Sequence, residues 1–127
     1  MRTTPFTFMK KTVVIGASVK PRRYSNLAVR RLKEHGHEVV AVGVGGGEIE
    51  GITIHTDKPF VDDVDTVTLY VAPHNQPPLY DYILSLKPKR ILFNPGAENK
   101  ELEKKAAEKG IETLEACTLV MLSTGQY

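Results

Sequence analysis

Short apolar runs alternate with longer amphipathic ones along this chain, and the alternation predicts strands and helices in turn. Thr12-Val13-Val14-Ile15 is β-branched and apolar and is followed at once by Gly16. A run with no polar face predicts a strand buried on both sides. From Ser25 to His35 the apolar residues Leu27, Ala28, Val29 and Leu32 are interleaved with Arg30, Arg31, Lys33 and Glu34. That spacing predicts a helix, with Gly36 as its stop. Glu38 to Val42 reads as a second strand, Gly43 to Gly47 as a glycine-rich break, and Gly51 to Ile54 as a short strand. One helical turn is expected at Phe60 to Val64, then a strand at Thr66 to Val71. A helix over Gln76 to Leu86 is expected to begin with Pro77-Pro78, since proline is tolerated in a first turn. Arg90 to Phe93 is the next strand, and Asn99 to Lys109 the most regular helix, with Gly110 after it. Ile111 to Leu114 is the last strand, and a short helix around Leu119 to Leu122 closes the pattern.

Strand and helix taking turns in this way predicts an α/β fold of three layers. The expected core is a mostly parallel sheet of five to six strands with helices on both faces. The 127 residues suit one domain, and neither an internal repeat nor a Pro/Ser-rich linker divides them. Residues 1–10 read as an N-terminal arm and residues 11–127 as the domain.

Charge narrows the function classes. Lys plus Arg is 17 and Asp plus Glu is 15, a net of +2, which argues against a nucleic-acid partner. No apolar run approaches the ~20 residues that cross a bilayer, so no membrane role is expected. The single cysteine, Cys117, cannot close a disulfide within the chain, which fits a cytoplasmic setting. A monomer or weak homodimer with a small-molecule nucleotide ligand is the expected state.

In an open α/β sheet the ligand lies outside the carboxyl ends of the strands, so the loops after them are where chemistry is expected. The first runs Gly16-Ala17-Ser18-Val19-Lys20-Pro21-Arg22-Arg23-Tyr24-Ser25. Small residues admit a ligand close to the backbone, and the following helix offers free N–H groups that suit phosphate. Lys20, Arg22 and Arg23 supply cations, and Ser18 or Ser25 a hydroxyl. The plainer reading is a tight turn with surface cations and Ser25 as N-cap. The second loop, Val71-Ala72-Pro73-His74-Asn75, offers small apolar contacts; His74 is either a general base or a helix-start histidine beside an Asn75 cap. The third, Asn94-Pro95-Gly96-Ala97-Glu98-Asn99, is a turn whose Glu98 or Asn99 caps a helix, or whose Glu98 accepts a bond from a ligand.

Other chemistries find little footing. Ser18 and Pro21 stand where a G-x-G-x-x-G fingerprint needs glycine, and no acid ends the second strand to hold ribose hydroxyls. No G-K-[ST] follows the first strand, and no G-x-S-x-G is present. His35, His37, His55 and His74 show no metal-ligand spacing with Cys117. Cys117 itself reads as a buried structural cysteine, the alternative being a thiol that pairs with a ligand thiol.

Val13-Val14-Ile15-Gly16-Ala17-Ser18, then Pro21, Ser25 and Leu32, resemble the opening of the small bacterial and archaeal CoA-binding proteins. These are relatives of the CoA-binding domain of succinyl-CoA synthetase and ADP-forming acyl-CoA synthetases. The resemblance continues through Gly36-His37-Glu38-Val39-Val40, Gly51, Val64-Asp65-Thr66-Val67, Asn94-Pro95-Gly96-Ala97-Glu98-Asn99, Ala107-Glu108-Lys109-Gly110-Ile111 and Cys117. It implies a Rossmann-like fold that binds coenzyme A or an acyl-CoA. The phosphates would then lie at Gly16, Ala17, Ser18 and the cations Lys20, Arg22 and Arg23. Val42 and Gly43 would lie along the nucleotide, Val71, Ala72 and Pro73 near the adenine, and Pro95, Gly96 and Ala97 along the pantetheine. The family carries Val-Asn-Pro where this chain has Val42-Gly43-Val44, which replaces a shaped wall by a flexible, mobile glycine run. The expected function is CoA binding without catalysis. The alternatives are an NAD(P)-type nucleotide-dependent enzyme and an interaction module that has lost its ligand.

Overall fold

A computed structural model describes residues 9–127 of the chain, so the arm expected over residues 1–10 falls almost wholly outside the described residues. Seven strands form one sheet in the order β3-β4-β2-β1-β5-β6-β7. The strands are β1 (Thr12–Ile15), β2 (Val39–Val42), β3 (Glu48–Ile49), β4 (Ile52–His55), β5 (Thr66–Leu69), β6 (Arg90–Phe93) and β7 (Glu112–Glu115). The helices are α1 (Tyr24–Glu34), α2 (Tyr80–Ser85), α3 (Lys100–Glu108) and α4 (Thr118–Ser123). All neighbouring strands are parallel except β3 and β4.

The strand order dictates the layers. From β1 the chain steps one way to β2, and from β5 it steps the other way to β6 and β7. Right-handed crossovers then place α1 on one face and α2 and α3 on the other. Successive strand residues serve opposite faces. Val14 packs with Val29, Leu32, Leu92 and Leu122 on the α1 side. Val13 and Ile15 pack with Ile83, Phe93 and Leu102 on the α2–α3 side. α4 returns to the first face and packs against α1. The direction reverses between β1 and β5, so the ligand edge is expected there.

Three expectations need correction. The sheet has seven strands because residues 48–55 form an antiparallel hairpin, β3–β4. Its turn is Glu50-Gly51, both with positive φ (47° and 86°), as a two-residue hairpin loop of type I′ demands; Gly51 is therefore in the turn and not in a strand. Phe60 to Val64 forms no helical turn. It follows Pro59 and is interrupted by Asp63 at φ 58°, while Val61 and Val64 reach the core from an irregular segment. The helix expected from Gln76 does begin at Pro77-Pro78, but as a 3-10 turn, Pro77–Leu79, that follows another at Pro73–Asn75 and leads into a six-residue α2; no side chain, Asn75 included, caps it. Asn99 does cap α3, its Oδ1 accepting from the Leu102 N–H at 3.1 Å.

At the amino ends of the strands a polar cluster closes the sheet. The Arg90 guanidinium donates to the Thr66 hydroxyl and to the main-chain oxygen of Tyr127, both at 2.8 Å, and lies 4.7 Å from the centre of the Tyr127 ring. Tyr127 shares a hydrogen bond with the buried Thr12 hydroxyl, and Lys10 also donates to the Tyr127 main-chain oxygen. His37 accepts the Lys10 N–H on Nδ1 at 2.9 Å, which requires that nitrogen to be unprotonated.

Candidate functional site

At the opposite edge, where β1, β5 and β6 end, the loops enclose a cleft of about 230 Å³. One wall is the β1–α1 loop. Gly16, at φ 96°, allows it to turn against Tyr70: a Cβ there would stand 2.8 Å from the Tyr70 carbonyl oxygen. Ser18 is held by two bonds, its hydroxyl accepting the Lys20 N–H at 3.1 Å and its carbonyl accepting Asn26 Nδ2 at 2.9 Å. The buried Asn26 is itself fixed by Arg30 Nε at 2.8 Å. The Arg23 side chain sits at the N-cap of α1 without capping it, and no carboxylate lies in the first turn. The N–H groups of Tyr24 and Ser25 therefore meet no protein acceptor among the described residues. Lys20, Arg22 and Arg23 make no ion pair there either. This is an unneutralised helix N-terminus with a free cation at its mouth, a setting that favours an anion.

The facing wall comes from the ends of β5 and β6. The buried Gln76 side chain joins its two loops, Nε2 donating to the Val71 carbonyl at 2.8 Å and to the Ala97 carbonyl at 2.7 Å. Its Oε1 accepts Asn99 Nδ2 at 2.8 Å. Asn94 does the same beneath them. Its Nδ2 donates to Thr68 Oγ1 and the Leu69 carbonyl, and its Oδ1 accepts the Thr118 N–H. Val71 and Ala72 line the cleft, and their N–H groups have no protein acceptor among the described residues. Tyr70 floors it. Its hydroxyl is buried near Thr118 and Thr68 without a well-formed hydrogen bond, and burial pushes its pKa well up, so the phenol stays neutral.

Of the residues singled out from sequence, the cleft brings together Gly16, Ser18, Arg23 and Ser25 on one wall and Val71, Ala72, Pro95, Gly96 and Ala97 on the other. Lys20 and Arg22 are exposed beside it, and Pro73 is exposed on its 3-10 turn. Ala17, Val42 and Gly43 are buried and lie outside the lining. The Val42 carbonyl accepts both the Gly16 and Ala17 N–H groups, at 2.9 and 3.0 Å. A Cβ on residue 43 would stand 2.0 Å from the Ala17 carbonyl oxygen, so glycine is required by this close approach. The glycine run is tied to the sheet, Gly43 N–H donating to His55 O and Ile54 N–H to Gly47 O. His74 is exposed, Cys117 is half-buried at the start of α4, and neither lines the cleft. Among the described residues no cluster of three metal-ligating side chains occurs.

Gln76 and Tyr70 were not foreseen as parts of the site, and Tyr24 and Asn94 were named only within the loops that hold them. A usable signal existed only for the last: Thr66 and Thr68 are hydroxyls in an otherwise buried strand, and such groups need partners. A larger groove, about 710 Å³, lies at the other edge between the carboxyl ends of α2 and α3 beside Lys87 and Lys109. It lies away from the carboxyl ends of the strands, where the ligands of open α/β sheets bind, so the smaller cleft is the better site.

Comparison with known proteins agrees with this fold. A family model described as a CoA binding domain matches residues 10–123. The chain belongs to the CoA-binding domain family. A solved structure titled an uncharacterized protein is 55% identical, with 94% of this chain and 98% of that one covered and a TM-score of 0.92. A hypothetical protein from Pyrococcus horikoshii OT3 is 27% identical over 94% of this chain and 86% of its own, with a TM-score of 0.83. The fold also recurs, at 20% identity and a TM-score of 0.67, in a dinucleotide-forming acetyl-coenzyme A synthetase 1 of Ca. Korarchaeum cryptofilum; 91% of this chain but 27% of that one is covered. No curated protein matches the sequence significantly. This CoA-binding domain has no helix, among the described residues, long and apolar enough to cross a membrane.

Proposed function

We propose that this CoA-binding domain binds coenzyme A or an acyl-CoA in the cleft between α1 and the loops after β5 and β6, and releases it unchanged. One observation carries the reading. The uncapped α1 N-terminus, with free Tyr24 and Ser25 N–H groups and the unpaired Arg23, opens into a cleft at the switch point of a CoA-binding-family fold. Such a helix end is a ready phosphate site, and charge-assisted bonds to phosphate are among the strong ones. Acyl transfer would need a nucleophile and base within reach of each other. His74 and Cys117 both lie outside the lining, which supports a binding role.

Calorimetric titration of the purified chain with CoA and with acetyl-CoA tests the proposal. Saturable binding below about millimolar ligand is expected, and an absence of heat up to that concentration sinks it. Chromatography of the ligand after incubation tests the second half, since any new product would make the chain an enzyme.

A further inference from the structure

The two faces of the sheet are covered unequally. On one face α1 and α4 pack together, and Ala41, Ile49 and Ile54 are buried there with Leu32 and Leu122. On the other, the crossover from β4 to β5 carries no helix, although a connection between parallel strands usually does. It is the irregular segment 56–65, anchored by Val61 and Val64, which are buried with Val13, Ile15 and Val42. Val40 on this face is only half-buried. Thr53 and His55 flank the inward Ile54 and so stand on this face too, Thr53 exposed and His55 partly so. Phe60 stands out from the segment, 81% exposed. A lone exposed apolar side chain is ordinary, but one borne by the thin cover of a half-open sheet face marks an interaction surface.

The charges around Phe60 indicate what fits. The segment crosses the face from the carboxyl edge to the amino edge. Near its start Lys58 Nζ donates to the Pro78 carbonyl at 3.1 Å, while the neighbouring Asp57 lies toward His55, 3.9 Å from Nδ1. Near its end Asp62 pairs with Lys11 at 3.2 Å, but Lys11 is shared with Glu38 at 3.9 Å, and Asp63 is exposed beside them. That end keeps an excess of acid. A cation thus lies two residues before Phe60 and acids two and three residues after it. The pattern complements itself: a twofold axis through Phe60 sets Lys58 of each copy toward Asp62 and Asp63 of the other, as a closed homodimer requires.

We propose that this face binds a second copy of the chain, the two meeting about a twofold axis at Phe60. The patch is small, so the dimer is weak, with a Kd of about 10–100 μM. None of these residues lines the cleft, so the inference stands apart from the CoA reading.

Sedimentation equilibrium of the full chain tests it, with thermal denaturation as the check on folding. Passage from monomer to dimer is expected between about 1 μM and 1 mM. Phe60→Asp should weaken association at least about tenfold and keep the thermal midpoint, because the side chain is exposed. Lys58→Glu should weaken it as well, and adding Asp62→Lys to that variant should restore it. A chain still monomeric at about 1 mM overturns the inference, even if Phe60 proves to hold a different protein. So does a dimer that Phe60→Asp and Lys58→Glu leave intact, or a charge exchange that restores nothing.

Discussion

The two edges of the sheet treat their polar groups in opposite ways. At the amino edge Arg90, Thr66, Thr12, Lys10, His37 and Tyr127 bond one another. At the carboxyl edge the Tyr24, Ser25, Val71 and Ala72 N–H groups and the cations Lys20, Arg22 and Arg23 have no protein partner among the described residues. Groups that satisfy each other in the folded chain stabilise the fold. Groups left unsatisfied at a surface are held ready for something else. The difference separates stability from binding along the length of each strand, and single substitutions should show it.

The largest effect is expected at the amino edge. Arg90→Met removes the donors to Thr66 and the Tyr127 main chain and should cost about 2 kcal/mol in urea denaturation, the range for bonds to a charged group. CoA affinity of the folded protein should not change; a weaker Kd would show that the edges are coupled. Arg23→Ala should do the reverse. It is expected to weaken CoA about tenfold, or about 1.4 kcal/mol, and to leave stability within about 0.5 kcal/mol, since the side chain is exposed and caps nothing.

The smallest effect concerns pH. Burial lowers the pKa of His37 below its ordinary value of 6.5, and the positive charges of His35, Lys10 and Arg90 lower it further, against a weaker raising effect of Asp65. The unfolded chain then takes up the proton first as pH falls. The contribution of neutral His37 is complete above pH 6.5 and is lost as pH drops below that value toward the folded pKa. The denaturation midpoint should therefore fall slightly just below pH 6.5, and His37→Gln should flatten that part of the curve. An unchanged slope in the variant would remove His37 from the cluster's pH response.

Much of the architecture was legible because the signals were local. A β-branched run named β1, short apolar runs named β5 and β6, and Asn99 and Gly110 bounded α3 within a residue. The β3–β4 hairpin was not, since β3 has two residues and its turn uses Glu50, a residue with no special liking for positive φ. The glycine run is a related case: composition shows that Gly43 lacks a side chain, and only the fold shows that the Ala17 carbonyl fills the space. The walls of the cleft were foreseen because loops after parallel strands converge at a switch point. Gln76 was not, because one glutamine ahead of Pro77-Pro78 carries no sign of the two carbonyls it will bridge.

That glutamine has a kinetic consequence. The wall it braces is finished before any ligand arrives, with both amide hydrogens and the amide oxygen engaged. No loop on that side has to order itself during capture, so little conformational entropy is spent there. Association should then be a single encounter whose observed rate climbs linearly with ligand concentration, without the plateau that marks a slow gating step.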